Sequence, residues 1–188
     1  MGNYPFAAAA AGTTPWLPAD SGLLIATGDQ ETATASFLLI AGTLYLRKLN
    51  VRSSVLVTNL WFGLPVVGAG ASTGSFAGLY SSTGTLLSGS ADIATQFTTA
   101  IGGISCPLTT PQQLTAGTFV WAAVLSNLAT TQPTLSKASV INPISNLNLT
   151  AATFRIAING TGLSVLPGSI TPASNAQANS ASLWVGGN

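Results

Sequence analysis

Enzymes draw most of their chemistry from histidine, cysteine and paired carboxylates, and this chain holds few of these groups. Its 188 residues include no histidine and one cysteine, Cys106. Without an imidazole, the commonest general base and metal ligand is missing, and neither a Ser-His-Asp nor a Cys-His arrangement can form within the chain. A lone cysteine in an apolar stretch is typical of a small buried hydrophobe, which is the role we expect for Cys106.

Four carboxylates remain for acid-base or metal chemistry: Asp20, Asp29, Glu31 and Asp92. A glycosidase needs two carboxyl groups that face each other across the scissile bond, and Asp29 and Glu31 are the closest pair in sequence. They lie in the stretch from Gly28 to Thr32, which is typical of a solvated turn, and they fall short of the roughly six to eight oxygen ligands that calcium takes. We therefore predict a non-enzymatic protein without a cofactor or a metal.

The basic residues offer little to a polyanion. The net charge is +1, and Arg47-Lys48 is the longest basic run. A string of phosphates would remain unneutralised, so we predict no nucleic-acid binding. Arg47, Lys48 and Arg52 cluster around one predicted strand, where they either form salt bridges to a neighbouring subunit or protect an edge strand by charge. The second interpretation is favoured, and the three residues are candidate interface residues.

The tryptophans are the remaining large recognition groups, at positions 16, 61, 121 and 184. Trp61 and Trp121 lie inside predicted strands and are expected in the core. Trp16 and Trp184 lie towards the ends of the chain, and we predict that they anchor it into a neighbouring subunit.

The overall composition describes a folded chain with a neutral surface. Only 5% of its residues are charged and 47% are apolar, against roughly 25% charged in an average soluble domain. This apolar content argues against intrinsic disorder, and the absence of any run of about 18 apolar residues argues against a membrane span. Serine, threonine, asparagine, glutamine and backbone must therefore cover most of the surface.

Apolar residues recur at a period of two, and helix-forming residues are scarce, so sheets should position all of these groups. The clearest strand candidates are Gly22 to Thr27, Phe37 to Val51, Ser54 to Gly63, Thr118 to Leu125 and Thr153 to Asn159. About eight short strands separated by turns predict an all-β fold, an antiparallel β-sandwich that resembles a jelly roll.

Several local features of these strands can be predicted. A slip of the apolar pattern at Arg47-Lys48 predicts a β-bulge. Residues 76–80 and 85–90 are expected to pair as a hairpin, with Gly84 in the turn. The strand from Thr118 to Leu125 is expected to be buried on both faces, whereas Pro107 to Thr115 is interpreted as a strand end and a loop.

The chain divides into three parts by composition. Residues 1–19 form a predicted N-terminal arm, residues 20–162 the β-sandwich domain, and residues 163–188 a C-terminal arm. The C-terminal part is rich in Ser, Ala, Asn and Pro and should be loose unless a neighbour holds it. An assembled oligomer is the simplest way to order it.

Five segments within residues 20–140 combine sheet-forming sequences with turns: Gly42 to Arg52, Val57 to Leu60, Ala77 to Tyr80, Gly84 to Leu87 and Leu114 to Val120. Together they resemble a β-sandwich domain found in virion proteins of tailed bacteriophages that infect actinobacteria. The resemblance implies a structural role on the virion, either in the tail tip and fibre apparatus or as a decoration protein on the head, typically as a symmetric oligomer. It includes no catalytic motif and assigns no functional residue.

Two functions from different classes follow. The leading hypothesis is a virion structural protein that forms a homo-oligomer, with a trimer favoured, and contacts other virion proteins through its arms. The alternative is a carbohydrate-binding module that recognises a glycan of the host cell envelope. Tryptophan or tyrosine exposed on one sheet face would favour the binding module, whereas burial of Trp16 and Trp184 against other subunits would favour the structural role.

Overall fold

The computed structural model describes residues 16–70, 73–99, 101–139, 143–178 and 180–188. Most of the predicted N-terminal arm, residues 1–15, lies outside the described residues. The strands are β1 (Ile25–Ala26), β2 (Ala35–Leu38), β3 (Tyr45–Asn50), β4 (Val55–Leu64), β5 (Phe76–Ser81), β6 (Leu86–Gly89), β7 (Gly102–Leu114), β8 (Phe119–Leu125), β9 (Thr134–Lys137), β10 (Ile156–Ile158), β11 (Ala176–Gln177) and β12 (Val185–Gly187).

Helical structure is confined to single turns in the described part of the chain. The α-helix α1 spans Gln96–Thr99, and the 3-10 helices span Pro18–Ser21, Gln30–Thr32, Pro143–Asn146, Ala151–Thr153 and Pro172–Ser174. Among the residues described, no helix is long and apolar enough to cross a membrane.

Antiparallel pairing organises the strands into three sheets. One sheet has the order β1-β12-β4-β7, a larger one the order β11-β10-β3-β8-β5-β6, and β2 pairs with β9. The two larger sheets share one hydrophobic core, to which β4 contributes Leu60 and Phe62 and β8 contributes Ala122 and Val124. The predicted all-β sandwich is therefore confirmed.

The six-stranded sheet is buried on both faces, and this explains the irregular apolar pattern around β3. Tyr45 and Leu49 face the core between the sheets, whereas Leu46 belongs to a second apolar cluster on the outer face. The pairing of β3 with β8 runs without a register shift, so the bulge predicted at Arg47-Lys48 is wrong. The apparent slip arises because the apolar residues serve opposite faces.

Strand β8 lies in the middle of this sheet, between β3 and β5. All of its residues from Val120 to Leu125 are buried, which confirms the prediction for Thr118 to Leu125. Trp121 is fully buried in the outer cluster, as expected.

The segment from Pro107 to Thr115, interpreted as a strand end and a loop, belongs almost entirely to the long strand β7. Its two prolines, Pro107 and Pro111, are typical of irregular structure and conceal the strand. Proline removes a ladder donor and is accepted on edge strands, and β7 is the edge of the four-stranded sheet. Cys106 points from β7 into the core and is buried, as predicted.

The predicted hairpin is confirmed, and the chain beyond residue 162 packs on it. Strands β5 and β6 pair antiparallel, and Gly84 adopts a φ of 96° in the turn. Ile170 donates its backbone N–H to the Gly84 carbonyl at 2.8 Å, and the Tyr80 hydroxyl donates to the Pro167 carbonyl at 2.8 Å. Leu166 also joins the outer apolar cluster.

The end of the chain completes the four-stranded sheet. Strand β12 lies between β1 and β4 and pairs with both, and Val185 is fully buried. Residues 163–188, predicted to be an arm that reaches towards a neighbour, thus cover one sheet and supply an interior strand of another within the same chain.

Candidate binding clefts

Three of the four carboxylates, those of Asp20, Asp29 and Asp92, hold turns together. Asp92 accepts hydrogen bonds from the backbone N–H groups of Gly74 and Ala94, and Asp29 accepts from the N–H of Glu31 at 2.9 Å. Asp20 likewise accepts from Leu17 at 2.8 Å. Across the described ranges, no group of three or more His, Cys, Asp or Glu residues is arranged to hold a metal ion.

Two tryptophans line a cleft of about 380 Å³ on the outer face of the four-stranded sheet. We call it the tryptophan cleft; its principal lining residues are Gln30, Trp61, Gly103, Ser136, Trp184 and Asn188. They come from several elements: Trp61 from β4, Gly103 from β7, Ser136 from β9 and Gln30 from a 3-10 helix. The cleft is therefore formed where segments distant in sequence meet.

The expectation that Trp61 lies in the core is wrong. Along β4, Leu60, Phe62 and Leu64 are buried towards the other sheet, so alternation turns Trp61 and Gly63 to the outer face. The prediction failed because the sequence around Trp61 is apolar on both sides and hides the alternation. The half-buried Trp61 is thus a site residue that sequence reasoning missed.

Trp184 projects to the same face by the same rule. Its neighbours Leu183 and Val185 are buried, and the indole Nε1 of Trp184 donates a 2.8 Å hydrogen bond to the carbonyl of Gly28. In this structure the predicted interface residue Trp184 is therefore fixed against its own chain, and it lines the cleft.

An irregularity in β4 fixes the other side of the cleft. The pairing of β4 with β7 shifts between Val57 and Asn59, which allows the backbone N–H groups of Thr58 and Asn59 to donate to the same oxygen of Asn188, at 2.6 and 2.8 Å. With its backbone held in this way, Asn188 presents Oδ1 to the indole Nε1 of Trp61 at 2.9 Å.

Glycines keep the rings close to the sheet. A Cβ on Gly186 would lie 3.1 Å from Cη2 of Trp184, and one on Gly63 would lie 2.5 Å from Oγ of Ser136. Gly103 has room for a Cβ, which would make an ordinary contact of 3.8 Å with Cε3 of Trp61. The floor of the cleft is therefore largely backbone, and side chains form its walls.

A second cleft, of about 350 Å³, lies at the β1 edge of the same sheet. We call it the Trp16 cleft; its principal lining residues are Trp16, Leu17, Pro18, Leu24, Arg52 and Val55. Leu17 is 57% exposed and Leu24 is 48% exposed. The structure thus brings together two of the predicted interface residues, Trp16 and Arg52, among apolar side chains and the neutral polar side chains of Thr27, Asn50 and Ser53.

The other two predicted interface residues, Arg47 and Lys48, lie apart from both clefts. Arg47 is only 8% exposed; its guanidinium donates to the Arg155 carbonyl at 3.3 Å, and its Nε has no hydrogen-bond partner in the described structure. The Nζ atom of Lys48 lies over the ring of Phe119, 4.0 Å from its centroid. Strand β3 is an interior strand between β10 and β8, so the interpretation of these charges as protection of an edge is wrong.

Burial sets the electrostatics of these cations. It lowers the pKa of Arg47 to about 10, with a further contribution from the positive charge of Arg155. The pKa of Lys48 is also lowered, by burial and then by Arg155. Arg47 therefore keeps its charge at neutral pH inside the protein, where no carboxylate of the described residues balances it.

Comparison with known protein families finds no matching family model, and comparison with curated proteins finds no matching sequence.

Proposed function

We propose that this chain is a non-enzymatic structural protein of a tailed-bacteriophage virion, either a minor tail or fibre component or a capsid decoration protein. The observation that carries the proposal is the Trp16 cleft, because exposed apolar surface of this kind marks protein contacts. The β-sandwich architecture and the resemblance of residues 20–140 support the same role.

The occupant that we propose for the Trp16 cleft is a second copy of this chain. Its wall combines apolar and neutral polar side chains with one cation, Arg52, which forms no ion pair within the described structure. Glu31 is exposed and equally unpaired in the described residues. In a symmetric oligomer an acid of one subunit can therefore face Arg52 of the next while Trp16 and Leu24 lose their contact with water. A trimer is favoured.

Light scattering on the full chain tests this proposal. We expect the wild-type protein to be an oligomer at micromolar concentration and the double variant Leu17→Asn, Leu24→Asn to be a monomer with an unchanged circular dichroism spectrum. Leu147→Asn is the matched control, because Leu147 is 71% exposed but lies outside the cleft. A monomeric wild type, or a double variant that still assembles, would contradict the proposal of self-assembly.

The virion assignment needs a separate measurement. We expect mass spectrometry of purified phage particles from a host that expresses this chain to find it in a fixed ratio to the other virion proteins. Its presence only in the soluble lysate would count against a structural role on the particle.

A further inference from the structure

We propose that the tryptophan cleft binds a neutral saccharide. This is a second function, beyond assembly, and it does not depend on the Trp16 cleft, with which the tryptophan cleft shares no lining residue. It rests on how the two indole rings are held and on the charge and polarity of the groups around them.

The hydrogen bonds of both rings are already used within the chain. Nε1 of Trp61 donates to Asn188, and Nε1 of Trp184 donates to Gly28. A ligand therefore meets the apolar carbon atoms of the rings and finds no unpaired indole N–H. Aromatic faces are electron-rich and pack well against polarised C–H groups, and the C–H face of a sugar ring presents such groups. The same hydrogen bonds hold the rings in position before the ligand arrives, which lowers the entropic cost of binding.

Polar groups with spare hydrogen-bonding capacity surround the rings. The amide of Gln30 and the hydroxyl of Ser136 form no hydrogen bond with any described residue, and both line the cleft. Amide and hydroxyl groups can donate and accept, so they match the hydroxyl groups of a sugar. An apolar peptide would leave these groups without partners and is a poorer match.

The charge of the cleft selects the class of saccharide. No Lys, Arg, Asp or Glu side chain lines it in the described structure, so a sugar acid or a phosphorylated sugar would lose hydration without gaining an ion pair. The cleft volume of about 380 Å³ falls within the range of small-molecule sites, roughly 300–1,000 Å³. A neutral mono- or oligosaccharide unit fits both conditions.

An array of neutral and acidic glycans, followed by calorimetric titration with the strongest neutral glycan, tests this inference. We expect binding of a neutral glycan with a Kd below about 1 mM. Trp184→Ala should weaken it by about tenfold, because the ring face is lost. Gly103→Val should weaken it at least as much by filling the cleft. A Cβ at this strand position makes only ordinary contacts with the Trp61 ring, and a circular dichroism spectrum equal to that of the wild type checks that the two further methyl groups of valine leave the fold intact.

Trp16→Ala is the matched control, since it removes a tryptophan from the other cleft, and it should leave the glycan Kd unchanged. Light scattering on Gly103→Val separates the two proposals, because that variant should keep the oligomeric state of the wild type. The inference is overturned if no neutral glycan binds, if acidic glycans bind more tightly, or if Gly103→Val binds as well as the wild type.

Discussion

The indole nitrogen of Trp61 and the side-chain oxygen of Asn188 lie 2.9 Å apart, in a hydrogen bond that joins the middle of β4 to the residue after β12. The backbone oxygen of Asn188 meanwhile accepts from Thr58 and Asn59. Asn188 therefore holds the end of the chain against β4 through its backbone and orients the Trp61 ring through its side chain. The stability of this end of the sheet and the geometry of the tryptophan cleft are linked through this residue.

Removing the Asn188 side chain should separate these two roles. Asn188→Ala keeps the backbone bonds but leaves the Trp61 N–H without its acceptor, so we expect the free energy of unfolding to fall by about 1 kcal/mol. Asn188→Asp keeps an acceptor for the Trp61 N–H, so its free energy of unfolding should fall by less. Urea unfolding followed by circular dichroism measures both, and equal losses for the two variants would show that the hydrogen bond is not the cause.

Deletion of residues 185–188 should abolish folding rather than detach an arm. The deletion removes β12 from between β1 and β4, exposes the backbone groups of both neighbours, and uncovers the core that Val185 fills. We expect the truncated chain to lose its cooperative thermal transition and to be cleaved rapidly by protease. A truncated protein that melts like the wild type would contradict the placement of β12.

Gly84 tests the docking of the C-terminal segment on the β5–β6 hairpin. A Cβ there would overlap the carbonyl oxygen of Ile170, and the residue has a φ of 96°. Gly117 has a φ of 80°, and no heavy atom lies within 4 Å of the position that its Cβ would take. Gly117→Ala should therefore cost only about 1–2 kcal/mol for the left-handed backbone. Gly84→Ala should lower the free energy of unfolding clearly more, with both variants measured by urea denaturation. Equal losses in the two variants would mean that Ile170 does not lie against this turn.

Sequence patterns predicted the class of the fold because strand periodicity and turn glycines are local properties. The hairpin at Gly84 and the doubly buried strand β8 both follow from such local patterns. The orientation of Trp61 was missed, because its immediate neighbours Leu60 and Phe62 are as apolar as the tryptophan itself. The role of β12 could not be predicted from its few residues, because an interior position in a sheet depends on partners that lie far away in the chain.

The tryptophan cleft was beyond sequence reasoning for a related reason. Gln30 and Ser136 lie in separate segments with no shared motif, and only the folded sheets bring them beside Trp61. A stricter test of alternation across Leu60, Phe62 and Leu64 would have placed Trp61 on the outer face. No comparable pattern joins Gln30 to Ser136.

Replacement of Arg47 by methionine should stabilise the protein. Arg47 is charged at neutral pH, buried, and without a carboxylate partner in the described structure, and an apolar side chain of similar length avoids the cost of desolvating that charge. We expect Arg47→Met to raise the free energy of unfolding by about 1–3 kcal/mol. Gln177→Met, at an exposed position of β11 outside both clefts, is the control and should change it by less than about 0.5 kcal/mol. A loss of stability in Arg47→Met would show that its hydrogen bond to Arg155 outweighs the desolvation cost.

Cys106 should make the protein less stable as the solution becomes alkaline. Burial raises the pKa of its thiol from 9.0 to about 12, so between these values the unfolded chain loses a proton that the native chain keeps. The thiol therefore favours the native state fully below pH 9, and this contribution declines above it. By pH 10 the loss should be about 1 kcal/mol.

The comparison of wild type with Cys106→Ala at pH 8 and pH 10 isolates this effect. Tyr45 and Tyr80, whose pKa values burial also raises, act in the same sense, whereas Arg47 and Lys48, whose pKa values are lowered, act in the opposite sense. These groups are present in both proteins, so their contributions cancel in the difference. Cys106→Ala loses core packing equally at both pH values, but it should lose about 1 kcal/mol less than the wild type on going to pH 10. An identical alkaline loss in the two proteins would mean that the native thiol ionises as readily as the unfolded one, and that β7 does not hold it away from water.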